Sequence, residues 1–296
     1  IVTAKIIDGL AIAQQVRAEV AADVVKLQQS HRVTPGLAAV LVGDDPASAV
    51  YVRNKAKACA EAGLFAETIR MPHNATEAEL LAVVDRLNFD GRFHGILVQL
   101  PLPRHIHEAV VLNAISPAKD ADGIHPVNMG RLALGQPNVV SCTPAGVQQM
   151  LLRSGYDPSG RHVVICGRSN IVGKPLALLL MQKAPGANAT VTICHTGTRN
   201  LPDIVRQADI LIAAAGSARM ITADMVKPGV VVIDVGTNRV EDSTKKSGYR
   251  LVGDVDFDAV KEVAAAISPV PGGVGPMTIA MLLVNTVKLA KAAAGS

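Results

Sequence analysis

Tryptophan is missing from this chain, and only 2% of its residues are aromatic. Its cores must therefore be aliphatic. The same poverty argues against single-stranded nucleic acid as a partner, because base-stacking platforms need aromatic rings. Charge of one sign is also scarce: the net charge is +4, and Lys and Arg are scattered rather than clustered. The densest basic stretch, TKKSGYR (244–250), reads as a solvated turn, so no nucleic-acid partner is expected. The four cysteines, Cys59, Cys142, Cys166 and Cys194, include no C-x-x-C pair. Three of them lie in or beside apolar runs, where a free cysteine behaves as a small hydrophobe. Reduced, buried thiols fit a cytoplasmic protein. No apolar run approaches the roughly 18 residues of a membrane span, so no membrane partner is expected. The start, IVTAKIIDGLAIAQQ, does not have the charged, apolar and small-residue order of a secretory signal.

What is present is a strongly globular pattern. The 296 residues are 49% hydrophobic and 18% charged, enough for about two domains with sizeable cores. Short β-branched runs alternate with helical patterns. In the first half LAAVLVG (37–43), ETIRM (67–71) and GILVQL (95–100) read as strands, separated by helices near 10–29, 46–62 and 76–88. In the second half the strands are HVVIC (162–166), TVTIC (190–194), ILIAA (210–214) and VVVIDV (230–235). Such continuous Val/Ile runs belong to strands buried on both faces, as in parallel sheets. The class is α/β, in two lobes. A junction lies in GQPNVVSCTPAGV (135–147), where Thr143 is expected to cap a helix that Pro144 starts. A second lies in SPVPGGVGPM (268–277), before a last helix expected near 276–292. The predicted division is 1–143, completed by 276–296 packing back on it, and 144–275.

Ligands of open parallel sheets bind beyond the carboxyl ends of the strands, so chemistry is sought in those loops. VVICGRSNIVGKPLALLL (163–180) runs from strand through a glycine turn into a helix, the start of a Rossmann-like nucleotide site. The fingerprint is incomplete: Ser169 and Val172 stand where its second and third glycines belong. Free N–H groups at the helix start would attract a phosphate, and Arg168 can offer a cationic fork in place of the missing close approach. An NAD site usually places a carboxylate at the end of the next strand. Here that strand ends TVTICHTGTRN, with His195, Thr196 and Thr198 but no acid. The combination points to NADP; the alternative is a tight strand–helix turn with no ligand.

In GDDPASAVYVRNKAKACAEAG (43–63) Asp45 can cap a helix, Pro46 start it and Gly63 stop it. Tyr51 and Lys55, four apart, share one helix face, either as an ordinary exposed pair or as a ring-and-charge device. Gln99 closes an otherwise apolar strand, where an unpartnered amide is costly; a core hydrogen bond or a ligand must satisfy it. Asp120 and Asp122 form a D-x-D pair without calcium-loop spacing, so no metal is expected and a turn is the simpler reading. The prolines and glycines of SPVPGGVGPM make a stiff loop.

Taken together and in order, YVRNK, ILVQLPLP, DADGIHPVNMGRL, CTPAGV, GRSNIVGKP, VIDVGTN, LVGDVDF and PVPGGVGPMTIAMLL closely resemble the bifunctional methylenetetrahydrofolate dehydrogenase/methenyltetrahydrofolate cyclohydrolase family. The resemblance covers essentially the whole chain. It implies tetrahydrofolate derivatives held between the lobes by Tyr51, Lys55, Gln99, Asp122 and the stretch Pro271, Gly272, Gly273, Val274 and Gly275. It implies NADP contacts at Gly167, Arg168, Ser169, Thr196 and Thr237, although Thr237 replaces the isoleucine common there. It further implies a cytoplasmic homodimer working in one-carbon metabolism and purine biosynthesis.

The implied chemistry suits these residue types. Hydride transfer from the methylene carbon needs mainly aligned rings. Hydrolysis of the resulting methenyl cation needs proton transfers. Lys55, pushed toward its neutral form beside that cation, would act as base or proton shuttle. Gln99 would hold the lysine and polarise the water, Tyr51 position the folate, and Asp122 accept from the pterin amino and N3 protons. The rival readings are a two-lobe dehydrogenase of another small substrate, of the shikimate or amino-acid type, and a nucleotide-binding protein without turnover.

Overall fold

A computed structural model describes residues 3–245 and 248–295; Lys246 and Ser247 of the basic TKKSGYR stretch lie outside them. Strand and helix alternate from the start. After β1 (Lys5–Ile6) and α1 (Gly9–His31) come three strand–helix pairs: β2 (Gly36–Val42) and α2 (Pro46–Glu61), β3 (Phe65–Met71) and α3 (Glu77–Phe89), β4 (Gly95–Val98) and α4 (Glu108–Ala114). Helices α5 (Pro126–Ala133) and α6 (Cys142–Arg153) lead to a second series: β5 (His162–Cys166), α7 (Gly173–Leu180), β6 (Thr190–Cys194), α8 (Leu201–Val205), β7 (Ile210–Ala213) and β8 (Val231–Asp234). The hairpin β9 (Asn238–Glu241) and β10 (Tyr249–Val252), then α9 (Phe257–Val260), β11 (Ala266–Ile267) and α10 (Val274–Ala293), complete it.

The chain divides into two compact units. One comprises Gln14–Cys142 and the chain from Ile279 on. Its sheet is parallel with order β3-β2-β4. Every residue of β2 and β4 is buried, as their unbroken apolar runs require. The core is aliphatic, gathered around Leu80, Val84, Leu87, Ile96 and Val98, with Phe93 its one fully buried large ring. The end of the chain is tied in by Lys291, whose Nζ donates to Asp23 Oδ2 at 2.7 Å.

The other unit comprises Thr143–Thr278 and the chain up to Ala13. Its six-stranded sheet, order β1-β11-β8-β7-β5-β6, is parallel throughout. Read from β5, the order is the doubly wound pattern in which the first strand lies between the second and the third. That reversal opens a crevice at the carboxyl ends of β5, β6 and β7.

Three local expectations are corrected. The first residues of the chain belong with 143–278 and not with residues 14–142, because β1 pairs with β11 at the edge of the larger sheet. Helix α6 begins at Cys142, so Pro144 sits inside the first turn, where its missing N–H costs nothing. Thr143 does not cap that helix; its hydroxyl meets that of Thr278 at 2.9 Å. Helix α10 starts at Val274, two residues before Pro276.

Candidate functional site

In the Gln14–Cys142 unit the local sequence aims a lysine at the end of a strand. Gly43, with φ +85°, turns the chain out of β2. Asp45 Oδ2 then accepts from Ser48 N at 2.7 Å, and Pro46 starts α2. About two and a half turns of helix later the half-buried Lys55 donates from Nζ to Gln99 Oε1 at 3.0 Å. The Gln99 amide is satisfied at its other end too, with Nε2 donating to Leu100 O at 2.8 Å. The partner of this half-buried amide is thus the lysine. Tyr51, one turn before Lys55, is 47% exposed, an open aromatic ring beside a held amine.

Asp122 completes this group. Its neighbour Asp120, 2% exposed, is the turn former of the D-x-D pair. It accepts from the backbone N–H of Gly123 at 3.0 Å, Ile124 at 3.3 Å and His125 at 2.8 Å, and from Asn128 Nδ2 at 2.9 Å. The turn runs so close to Val140 that a Cβ on Gly123, at φ +69°, would lie 2.5 Å from the Val140 carbonyl. Asn285, buried in α10, clamps the segment by donating to Ala121 O and Val140 O, both at 2.9 Å. Asp122 itself is only part-buried, and its carboxylate accepts no hydrogen bond that the described residues supply. Desolvation pushes it up to about 6, against the opposing pull of the Lys55 ammonium, with Asp120 adding repulsion. A carboxylate left unpaired within the field of a lysine is poised to take donors from a ligand. No group of His, Cys, Asp and Glu among the described residues could hold a metal ion.

In the second unit, a cleft of about 520 Å³ opens where β5, β6 and β7 end, a size suited to a small molecule or cofactor. Gly167, Arg168 and Ser169 line it after β5, and His195, Thr196 and Thr198 after β6. The glycines of the incomplete fingerprint have packing roles. Gly167 has φ +138°, and a Cβ there would overlap the Ala214 carbonyl of the neighbouring strand. A Cβ on Gly173 would overlap the Gly167 carbonyl in turn. The helix start is not open, as the sequence suggested. Ser169 Oγ accepts from Val172 N at 3.1 Å and Gly173 N at 3.5 Å, so these orphan donors already have a partner. The exposed Arg168 lines the cleft next to this closed turn. The β6 end is shaped by Thr198, whose Oγ1 accepts from His195 N at 2.8 Å, and carries no carboxylate.

The remaining candidates lie elsewhere. Thr237 is exposed and does not line this cleft. The Pro271–Gly275 stretch is pinned by the start of α1: Leu10 N donates to Gly272 O at 3.0 Å, and a Cβ on Gly9 would overlap the Gly273 carbonyl.

Residues 7–122 match the tetrahydrofolate dehydrogenase/cyclohydrolase catalytic domain, and residues 141–294 match the NAD(P)-binding domain of the same family. The chain belongs to the tetrahydrofolate dehydrogenase/cyclohydrolase family. It is 57% identical to a bifunctional protein FolD of Dehalococcoides mccartyi over 99% of both chains. Two solved structures are similar over nearly their whole length. The bifunctional FolD of Campylobacter jejuni has a TM-score of 0.91 and 47% identity, covering 98% of this chain and 99% of that one. The methylenetetrahydrofolate dehydrogenase-cyclohydrolase of Trypanosoma brucei, solved with NADP and an inhibitor, has a TM-score of 0.94 and 42% identity, covering 100% of each chain. As a family member the chain is an enzyme of one-carbon folate metabolism, a dehydrogenase with an NAD(P)-binding domain and a cyclohydrolase.

Within the NAD(P)-binding domain of this family member, two buried aspartates do work that sequence reading did not assign. Asp234, at the end of β8, accepts from Gly236 N at 3.0 Å, Asp254 N at 2.9 Å and Val255 N at 2.9 Å. Asp254 accepts from Ala215 N at 2.6 Å, Gly216 N at 2.8 Å and Ser217 N at 2.9 Å, and from Asn238 Nδ2 at 2.8 Å. The loop after β7, which forms one wall of the cleft, is therefore hung on Asp254. Burial raises Asp234 to about 6, opposed by its backbone donors, with Asp254 adding repulsion. The signal was in the sequence as two aspartates each set close to a glycine, DVG (234–236) and GDV (253–255). Asn285 also left a trace, a lone amide in the apolar run MLLVNTVKL.

Proposed function

We propose that the chain oxidises 5,10-methylenetetrahydrofolate to 5,10-methenyltetrahydrofolate with NADP and then hydrolyses the product to 10-formyltetrahydrofolate. Lys55, Gln99, Tyr51 and Asp122 carry the folate side of that work. The observation that supports this most strongly is the Lys55–Gln99 bond of 3.0 Å within the field of the unpaired Asp122. Asp122 accepts from the pterin amino group and N3–H, fixing the ring edge. The open face of Tyr51 supports the ring. Gln99 fixes the Lys55 amine where a water can be deprotonated as it attacks the methenyl carbon. The ring then opens, with the formyl group left on N10 and a proton delivered to N5. Bound NADP supplies the hydride acceptor for the first reaction. Pro271–Gly275 is assigned to folate, and Gly167, Arg168, Ser169 and Thr196 to the cofactor; Thr237, outside the cleft, is retained only as a family-based candidate. Supplying methylenetetrahydrofolate with NADP, then with NAD, and monitoring methenyl formation and decay tests the whole reading. A chain that oxidises another small substrate and ignores folate would overturn it.

The preference for NADP rests on Arg168 and on the missing acid after β6. Losing a charge-assisted contact costs about 1.5–3 kcal/mol. Arg168→Ala is therefore expected to weaken NADP at least roughly tenfold and to leave NAD nearly unchanged, as titration calorimetry would read. Equal losses for both cofactors would remove the 2′-phosphate from Arg168.

Asp122 gives the folate reaction a pH dependence. Its carboxylate form is the acceptor, and protonation near pH 6 removes it. Folate KM is expected to rise as pH falls through 6, by roughly tenfold at a pH one unit lower, where about a tenth remains ionised. Asp122→Asn should raise KM at every pH and flatten this dependence, and a chelator should change nothing. A KM that keeps its acid limb in Asp122→Asn would assign the titration to another group.

A homodimer is also proposed, on the family resemblance; light scattering should give twice the chain mass of 30.8 kDa. A cytoplasmic site of action is proposed on the reduced cysteines, all four of which are free and buried. No helix among the described residues is long and apolar enough to cross a membrane.

A further inference from the structure

Cys166 and Cys194 take no part in the chemistry above, yet both lie in the wall of the cofactor cleft. They are register partners, the last residues of the parallel neighbours β5 and β6. Register partners in a parallel pair project from the same face of the sheet, with backbones about 4.8 Å apart. The two thiols interact directly, each changing the other's proton affinity. They are 2% and 1% exposed, so the cleft is their one approach. Cys59 and Cys142 belong to the other unit and have no such partnership.

We propose that Cys166 and Cys194 form a dithiol site in the floor of the cleft, which takes one trivalent arsenical across both sulfurs. The chemistry is a condensation without change of oxidation state. An organoarsonous acid, R–As(OH)2, exchanges its two As–OH bonds for two As–S bonds; each thiol proton leaves with a hydroxide as water. One arsenic atom spans two neighbouring sulfurs, and the ring so formed holds far better than a bond to a single thiol. The same surroundings disfavour oxidation to a disulfide. Burial pushes Cys166 up to about 12 and raises Cys194 as well, so little thiolate is present at neutral pH, and peroxide reacts with the thiolate. Condensation with As–OH needs no free thiolate, because the departing hydroxide takes the proton.

The site has a built-in competitor, a point that rests on the cleft being the cofactor's. Gly167–Ser169 continue directly from Cys166, and His195–Thr198 from Cys194, so an arsenical seated on the sulfurs would occupy part of the cleft that a bound cofactor would need. The probe is phenylarsine oxide added in slight excess to the native enzyme, read by intact mass and by peptide mapping. The expected result is one phenylarsenic group per chain, less two hydrogens, joining the peptides of Cys166 and Cys194. It should be reversed by 2,3-dimercaptopropanol. Saturating NADP should slow capture at least tenfold, Cys194→Ser should abolish it, and Cys59→Ala/Cys142→Ala should retain it. No capture by the native wild-type chain, or capture mapped to Cys59 or Cys142, would overturn the dithiol site. Capture at Cys166 and Cys194 that bound NADP does not slow would leave the dithiol standing and overturn the assignment of the cleft to the cofactor.

Discussion

Lys55→Met is expected to leave hydride transfer largely intact and to cut hydrolysis of methenyltetrahydrofolate by roughly 10²–10⁴-fold, the usual contribution of a positioned acid–base group. The two reactions ask different things of the protein. The methylene carbon already carries the hydride, so its departure requires alignment and no base. Attack by water on the cation releases a proton that something must accept. Lys55 is the ionisable side chain that meets the strand-end amide of Gln99, and methionine keeps its length while removing the amine. Methenyltetrahydrofolate should therefore accumulate, visible as a chromophore that forms at nearly the normal rate and fails to decay. Gln99→Ala should show a weaker version of the same split, since it frees the amine without removing it. If both activities fall together by a large common factor, Lys55 binds folate and is not the base.

Gly253→Ala is the second large expectation, and it reads stability. A Cβ at this position would overlap Asp234 Oδ2, and Gly236 faces Asp254 with the same closeness. The Asp234 carboxylate cannot retreat, because it is 2% exposed and holds three backbone N–H groups. Overpacking costs about 1–3 kcal/mol, and each buried polar group left unpaired about as much again. A loss of about 3 kcal/mol or more is expected, with a fall of roughly 6–12 °C in Tm by the usual scaling for larger domains. Gly91→Ala, where an added Cβ meets nothing within 4 Å, should leave the melt unmoved. A Gly253→Ala shift of less than about 2 °C would mean that the two loops can part, and that the aspartates do not lock them.

How much of this was legible in the sequence depends on range. HVVIC and TVTIC agree with β5 and β6 residue for residue, because a continuous β-branched run bounded by glycine and threonine turns has few other uses. The start of α2 was legible from Asp45 and Pro46, since capping is local chemistry. β1 and β11 were not. Two residues carry no period, and their pairing is decided by partners 261 positions apart. The meeting of Lys55 and Gln99 spans 44 residues and could be suspected only from the oddness of an amide in an apolar strand. The local role of Ser169 was illegible for a related reason. A serine in a glycine's place looks like a loss of backbone approach, and only the fold reveals that its hydroxyl caps α7.

That cap separates two demands which glycine-rich loops usually merge. Where a bound phosphate completes a helix start, any change of cofactor also disturbs folding. Here the loop after β5 is closed by its own serine, so the groups proposed to choose the cofactor stand outside the hydrogen bonds that close it. Arg168 and Thr196 can then vary with little effect on stability. If the proposed cofactor residues hold, a change between phosphorylated and unphosphorylated dinucleotides would leave this turn and its helix folded.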